Sequence, residues 1–303
     1  MRIASTQYQA TMNSALQEAN ARLSVITQKM ASGKRLLLPS DDPLTSVRLS
    51  RLMREEASIA QYRDNIGAVR TRLSQNEGYL DGMSSDLLAA RDLMVGALDG
   101  SNSSANLAAV ASPLDALRES LFYAANARDQ EGGYVFSGTA TSTPAFSYDP
   151  NAPLGARYSF TGNTEVQHVV VSGGITQAAN VSVPEMAALL NRLENASAAM
   201  KAPGANASDP ATHALLAAAL DGIDVAANSV GSRIAQLGGA QNVLSTLDTN
   251  HANVSLSNGQ ALIDLGQLDY GDAAVQLNAY TTALQATQKA YAKVSGLSLF
   301  DVI

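Results

Sequence analysis

The side chains that could carry out chemistry are few and widely separated. The 303-residue chain has no cysteine, which excludes thiolate nucleophiles, disulfides and Cys-ligated metals. Its three histidines, His168, His213 and His251, never occur at the spacing of a zinc-binding pair. Asp41 and Asp42 are adjacent in a predicted loop, but no further oxygen ligands lie near them, so the pair predicts helix capping. We therefore expect neither a metal nor a cofactor.

The sequence does not contain two common functional motifs. Ser32-Gly33-Lys34 is similar to the end of a phosphate-binding loop, but position 35 is Arg and position 28 is Gln. The Gly-x-Ser-x-Gly motif of serine hydrolases is absent. A helical enzyme with a β-rich lid stays an alternative, and it would need a pocket with convergent polar groups. The sequence offers no candidate residues for such a pocket, so we expect that the protein is not an enzyme.

Charge is distributed unevenly along the chain. The net charge is −7, with a sequence pI near 4.9, which argues against a general nucleic-acid binder. Residues 1–72 hold 11 basic and 6 acidic groups, whereas the remaining residues hold 9 basic and 21 acidic groups. This asymmetry predicts either a solvated basic helix face or electrostatic pairing between the head and the body of neighbouring copies.

Neither a membrane span nor a signal peptide is expected. The longest uninterrupted apolar run, residues 214–220, is far shorter than the ~18–20 residues that a span requires. The first residues lack the apolar stretch of a cleavable signal. We expect no membrane insertion.

The positioning elements are predicted to be helices. Apolar residues make up 46% of the chain and aromatic residues only 5%, which suits closely packed helices. Apolar side chains recur at alternating spacings of four and three in five segments, the pattern of a coiled-coil seam. The first helix should end at Gly33, and the second should begin at Pro43 with Asp42 as its N-cap. The clearest seam runs from Ile59 to Met94, with Asn76 inside it.

The period changes in the middle of the chain. Short β-like segments at residues 134–138, 145–148, 157–160 and 166–171 are separated by turn residues. The fold class is therefore mainly α with a small β-rich insert. We expect an elongated coiled-coil terminal domain and a helical rod, both formed by the two ends of the chain, with an inserted outer β domain.

Four stretches resemble the flagellin superfamily. They are Met1-Arg2-Ile3 with Thr6-Gln7, the segment 30–43, the segment 133–138 and the segment 282–300. Within the superfamily, the second proline of Pro39-Ser40-Asp41-Asp42-Pro43 and the Leu297-Ser298-Leu299-Phe300 tail resemble the hook–filament junction subfamily more than filament subunits. A flagellin that forms the filament itself is the alternative.

The resemblance implies three domains. Residues 1–40 with 266–303 would form the terminal coiled-coil inner domain, and residues 41–133 with 205–265 the helical rod domain. Residues 134–204 would form the inserted outer domain. It also implies export through the flagellar type III channel without a cleaved signal peptide, and an extracellular location at the hook–filament junction.

The implied function is structural assembly. The partners implied are further copies of the chain in a ring, the first hook-associated protein, flagellin, and a cytoplasmic export chaperone at the C-terminal segment. Helix–helix contacts of the chain ends would form the assembly interface, and Pro39, Asp41, Asp42 and Pro43 the connector loop. The N-terminal seam comprises Met12, Leu16, Leu23, Ile26 and Met30, and the C-terminal seam comprises Leu277, Tyr280, Leu284, Tyr291, Val294, Leu297, Leu299 and Phe300.

Overall fold

Six helices and two short hairpins make up residues 2–295, the part of the chain that the computed structural model describes. The helices are α1 (Arg2–Ser32), α2 (Pro43–Ala97), α3 (Ser104–Ala125), α4 (Met186–Lys201), α5 (Pro210–Gly266) and α6 (Tyr270–Ser295). The strands are β1 (Phe146–Tyr148), β2 (Tyr158–Phe160), β3 (His168–Ser172) and β4 (Ile175–Ala178). The mainly α fold with a small β-containing insert is confirmed.

Helix boundaries follow the local signals in the sequence. Gly33 ends α1 with a φ of 68°, a left-handed conformation that favours glycine. Asp42 caps α2, because its carboxylate accepts a hydrogen bond from the Thr45 backbone N–H at 3.1 Å. Pro113 lies within α3, and the helix continues through it without interruption.

The chain forms two compact units, whose border falls within α2 and α5. The terminal unit comprises residues 1–59 and 252–303, and the central unit comprises residues 60–251. The predicted division into three domains has different boundaries and stays a prediction.

In the central unit, the α2 seam is the centre of a continuous core. Its apolar positions from Ile66 to Met94 are at most 2% exposed, and they share the core with Leu114 of α3 and Leu193 of α4. Asn76 is also buried within the seam, at 1% exposure. Burial of the apolar side chains of this core is the main favourable term in folding.

The insert contributes to that same core. β1 pairs with β2 and β3 with β4, both antiparallel, and the two hairpins form separate sheets. Phe136 and Phe146 are buried with the helices, and Phe136 lies edge-on to Tyr79 of α2. Asn65 of α2 also donates a hydrogen bond to the Val170 carbonyl oxygen of β3 at 2.8 Å. The insert is therefore packed against the helices and not only tethered to them.

One prediction about local structure is wrong. Residues 134–138 do not form a strand; they make isolated bridges, from Tyr134 to Arg128 and from Ser137 to Ser182. Because Val135, Phe136 and Ser137 are all buried, the segment lacks the alternating exposure of a half-buried strand.

The membrane prediction also needs correction. It rested on uninterrupted apolar runs, but α5 contains an 18-residue window with a mean hydropathy of 1.3. By length and composition alone, α5 therefore meets the criterion for a membrane-spanning helix. A core helix meets the same criterion, and the buried positions Leu216, Ile223 and Val230 of α5 belong to the central core.

Candidate assembly surface at the chain ends

The two ends of the chain pair with each other as helices. α1 and α6 are in extensive contact in the terminal unit. The Tyr270 hydroxyl, at the start of α6, donates a hydrogen bond to the Met30 carbonyl oxygen, near the end of α1, at 3.1 Å. Further along, Ala19 and Tyr280 line the same groove. The pair is therefore antiparallel, with positions near 30 and 19 opposite positions near 270 and 280.

The predicted seams face inward but are incompletely covered. On α1, Met12, Leu16, Leu23 and Met30 are half-buried, and Ile26 is buried. On α6, Leu277, Tyr280, Leu284 and Tyr291 are half-buried. The side chain of Val294 and all of Leu297, Leu299 and Phe300 lie outside the described residues. Two helices alone cannot enclose a seam, so part of this apolar surface stays accessible.

Small residues leave a shallow groove between the paired helices. It has a volume of about 200 Å³ and is lined by Ala15, Glu18, Ala19, Arg22, Tyr280 and Ala283. Glu18 and Arg22 form an exposed ion pair at 2.5 Å along one edge. Such an exposed i,i+4 pair stabilises a helix only slightly. The groove presents alanine methyls and an aromatic ring, which favours packing against another helix.

The connector loop is organised by its two aspartates. The Asp41 carboxylate accepts hydrogen bonds from the backbone N–H groups of Leu37 and Leu38, both at 3.1 Å. The Asp42 carboxylate accepts from the Thr45 hydroxyl at 2.6 Å. That hydroxyl, then the Thr45 N–H, lowers the pKa of Asp42, despite an opposing desolvation effect. The predicted helix-capping role is confirmed for Asp42, whereas Asp41 binds the backbone of the connector loop.

Arg35 links the connector loop to the turn between α5 and α6, a role that its local sequence does not indicate. Its side-chain Nε donates to the Leu265 carbonyl oxygen at 2.9 Å, and its backbone N–H donates to the Gly266 carbonyl oxygen at 2.9 Å. Its guanidinium also lies 3.8 Å from the Asp42 carboxylate. Alongside, the Leu268 N–H donates to the Gly33 carbonyl oxygen at 2.9 Å. The connector and the α5–α6 turn are thus clasped together, a long-range contact that local sequence signals do not reveal.

The side chains with catalytic potential are dispersed. His168 lies in β3, while His213 and His251 lie in α5, and His251 Nε2 is 3.0 Å from the Val171 carbonyl oxygen. Among the described residues, no group of three or more His, Cys, Asp or Glu side chains could hold a metal ion. What the chain ends offer is accessible apolar and charged surface.

Comparison with known proteins identifies the chain's relatives. The sequence model of the bacterial flagellin N-terminal helical region matches residues 3–141. The flagellar hook-associated protein 3 of Escherichia coli K12 is 30% identical over 291 residues, 91% of either chain. The protein of the same name from Salmonella typhimurium LT2 is 27% identical over 100% of this chain and 99% of its own.

The chain is also similar in structure to a solved flagellar protein. A structure described as a flagellar hook-associated protein from Vibrio parahaemolyticus is 31% identical, with a TM-score of 0.67. The match covers 75% of this chain and 100% of that one. The similarity therefore extends from sequence to the arrangement of the helices.

Proposed function

The chain belongs to the flagellar hook-associated protein 3 family within the flagellin superfamily, and from this premise we propose that it joins hook and filament in the bacterial flagellum. In this role the chain is a structural adapter and catalyses no reaction. It assembles through helix–helix contacts of its terminal regions, below flagellin and above the first hook-associated protein.

One observation supports this role most directly. The half-buried seams of α1 and α6 lie at the two ends of the chain, whereas the α2 seam of the central unit is buried from Ile66 to Met94. A monomer that leaves such seams accessible gains stability when neighbouring helices cover them. Copies of the same chain in a ring provide those helices, together with the subunits above and below.

Further partners follow from the family. We propose that a cytoplasmic export chaperone covers the C-terminal segment before secretion, because α1 covers the apolar face of α6 only in part. The chain then passes through the flagellar export channel without cleavage and functions outside the cell. Its three-domain division, with boundaries near residues 40, 133, 204 and 265, is part of the same proposal.

Gene deletion tests the adapter role. We expect a deletion strain to carry hooks without filaments and to shed flagellin into the medium. Supplying the full-length chain should restore attached filaments. A deletion strain with normal filaments would overturn the proposal.

A polymerisation assay distinguishes the adapter role from the alternative, a flagellin that forms the filament. The match to the flagellin N-terminal region is compatible with either role, but the full-length relatives are named hook-associated protein 3. Purified flagellin would extend indefinitely from filament seeds. We expect this chain to stop after a few layers, and unlimited growth would establish the alternative.

A further inference from the structure

The outward face of α2 in the terminal unit combines apolar and basic side chains. Leu44 and Val47 are 71% and 66% exposed, and their spacing of three residues places them together on one side of the helix. Arg48, Arg51 and Arg54 are exposed beside them, and no ion pair within residues 2–295 includes any of the three. We refer to these five residues as the basic face.

A second surface of the same unit has the opposite charge. Ile263 and Val275 are 52% and 69% exposed. Asp264, Asp269 and Asp272 are exposed among them, and within the described residues these aspartates form no ion pair. These five residues, at the end of α5 and the start of α6, form the acidic corner.

The two surfaces keep opposite net charges when the neighbouring charged residues are counted. Glu55 lies beside the basic face, which still has two more positive than negative charges. Lys34 lies beside the acidic corner through its bridge to Gln267, and Arg35 lies beside it through its hydrogen bonds to Leu265 and Gly266. The three aspartates outnumber these two cations, so the corner stays net negative. Both surfaces have exposed aliphatic side chains among their charges. They are therefore complementary in charge and alike in their apolar content.

Within one copy, the orientation of α2 separates most of the basic face from the acidic corner. α2 contacts α5 through Leu49, which packs against Gly266, and through Glu56, which accepts a hydrogen bond from the Ser255 hydroxyl at 2.6 Å. At 100° per residue, Val47, Arg51 and Arg54 lie on the opposite side of α2 from these contacts. The basic face is thus turned away from the helix that leads into the acidic corner.

We propose that the basic face of one copy binds the acidic corner of the next. The contact is heterologous, because it joins two different surfaces of identical chains: each copy binds one neighbour through its basic face and another through its acidic corner. Repetition then produces a ring or a helical array, and the same pairing operates at every step. This inference rests on the proposed assembly function and specifies the surfaces by which copies recognise one another.

Charge exchange between the surfaces tests the pairing. Arg51→Glu with Arg54→Glu reverses the basic face, and Asp264→Lys with Asp272→Lys reverses the acidic corner. In a deletion strain, we expect each reversal to lower the number of attached filaments at least tenfold. A chain with both reversals should recover at least half the wild-type number. Arg70→Glu, an exposed change in the central unit, is the control for altered charge and should behave as wild type.

The outcomes separate this inference from the proposed function. Failure of the unchanged chain to restore filaments overturns the adapter role. Restoration by the unchanged chain, with a combined variant as defective as either reversal, overturns the pairing of copies. In particular, loss confined to the basic-face reversal would show that another flagellar component binds there. Full activity of both single-surface reversals would also overturn the pairing.

Cross-linking provides a readout that does not depend on filament growth. Because the chain has no cysteine, Val47→Cys and Val275→Cys each place a single thiol, one on each surface. We expect an equimolar mixture of the two concentrated full-length chains to give dimers with a bismaleimide. Neither chain alone should exceed the yield of a Leu88→Cys and Val275→Cys mixture. A yield from the first mixture no greater than from this control would overturn the inference.

Discussion

The seams of the central and terminal units share one sequence pattern but differ in their burial. Both place apolar side chains at alternating spacings of three and four. In the central unit, Leu73, Leu80 and Leu87 are at most 1% exposed. In the terminal unit, Leu16 and Leu284 occupy equivalent seam positions and stay half-buried. The spacing therefore indicates which face is turned inward, and the surrounding elements decide how completely it is covered.

The covering elements explain the difference. Around the central seam, α3, α4 and the β hairpins contribute to one continuous core. In the terminal unit, the α1 seam has α6 as its main partner. The central seam is thus covered by its own unit, whereas the terminal helices gain stability when further helices complete their packing.

The largest expected effect lies in the insert and would show that it belongs to the central core. Phe136→Ala should lower the free energy of unfolding by about 3–5 kcal/mol, because it leaves a large cavity beside Tyr79. Tyr123→Ala, at a ring that is 72% exposed, is the control and should change it by about 0.5 kcal/mol or less. If chemical denaturation gave equally small losses of unfolding free energy for both variants, the insert would not belong to the core.

Two neighbouring leucines of α2 test the coverage of the central seam. Leu87→Ala should cost about 2–5 kcal/mol, since its side chain is fully buried. Leu88→Ala changes the next residue, which is 58% exposed, and should cost about 0.5 kcal/mol or less. Both variants share the same helix and the same loss of side-chain volume. A similar midpoint of urea unfolding for the two would contradict the assigned burial.

The cap of α2 should make the terminal unit sensitive to acid. The pKa of Asp42 is lowered in the folded chain, so its contribution to stability is present above its unfolded pKa, about 3.9. That contribution is lost as the pH falls through the lower folded value. Asp42→Asn keeps a capping side chain but removes the titration. Circular dichroism between pH 5 and 2 should show a smaller acid-induced loss of helix for Asp42→Asn than for wild type, and identical profiles would refute this.

The smallest effect on the monomer is expected at the terminal seam. Leu284→Asp removes a half-buried leucine, so the monomer should lose only about 1 kcal/mol, while assembly should fail. Gln285→Asp introduces the same charge at the adjacent exposed position and should assemble normally. Thermal melting and filament recovery measure the two effects, with a secretion assay to confirm export. Normal filaments with Leu284→Asp would exclude this helix as the assembly element.

Helix positions and inward faces were predictable, because capping residues and apolar periodicity are local signals. Gly33, Asp42 and Pro43 mark boundaries that the structure confirms. The clasp of Arg35 on Leu265 and Gly266 was not predictable, since 230 residues separate the arginine from the carbonyl that its side chain binds.

The insert shows the same limit of local patterns. Residues 134–138 read as a strand because Tyr, Val and Phe favour strands, but packing against the helices buries consecutive side chains. Likewise, the spacing of the terminal seams gave their orientation and could not give the degree of coverage. Coverage depends on tertiary packing that no single segment encodes.

Hydrogen exchange in dilute monomer and in assembled flagella tests the central claim most directly. In the monomer, we expect the amides of residues 59–94 to be strongly protected, and those of residues 7–32 and 275–293 to exchange rapidly. In assembled flagella, the terminal amides should become as protected as the central ones. Strong protection of both terminal helices in the dilute monomer would contradict the claim that assembly completes their packing.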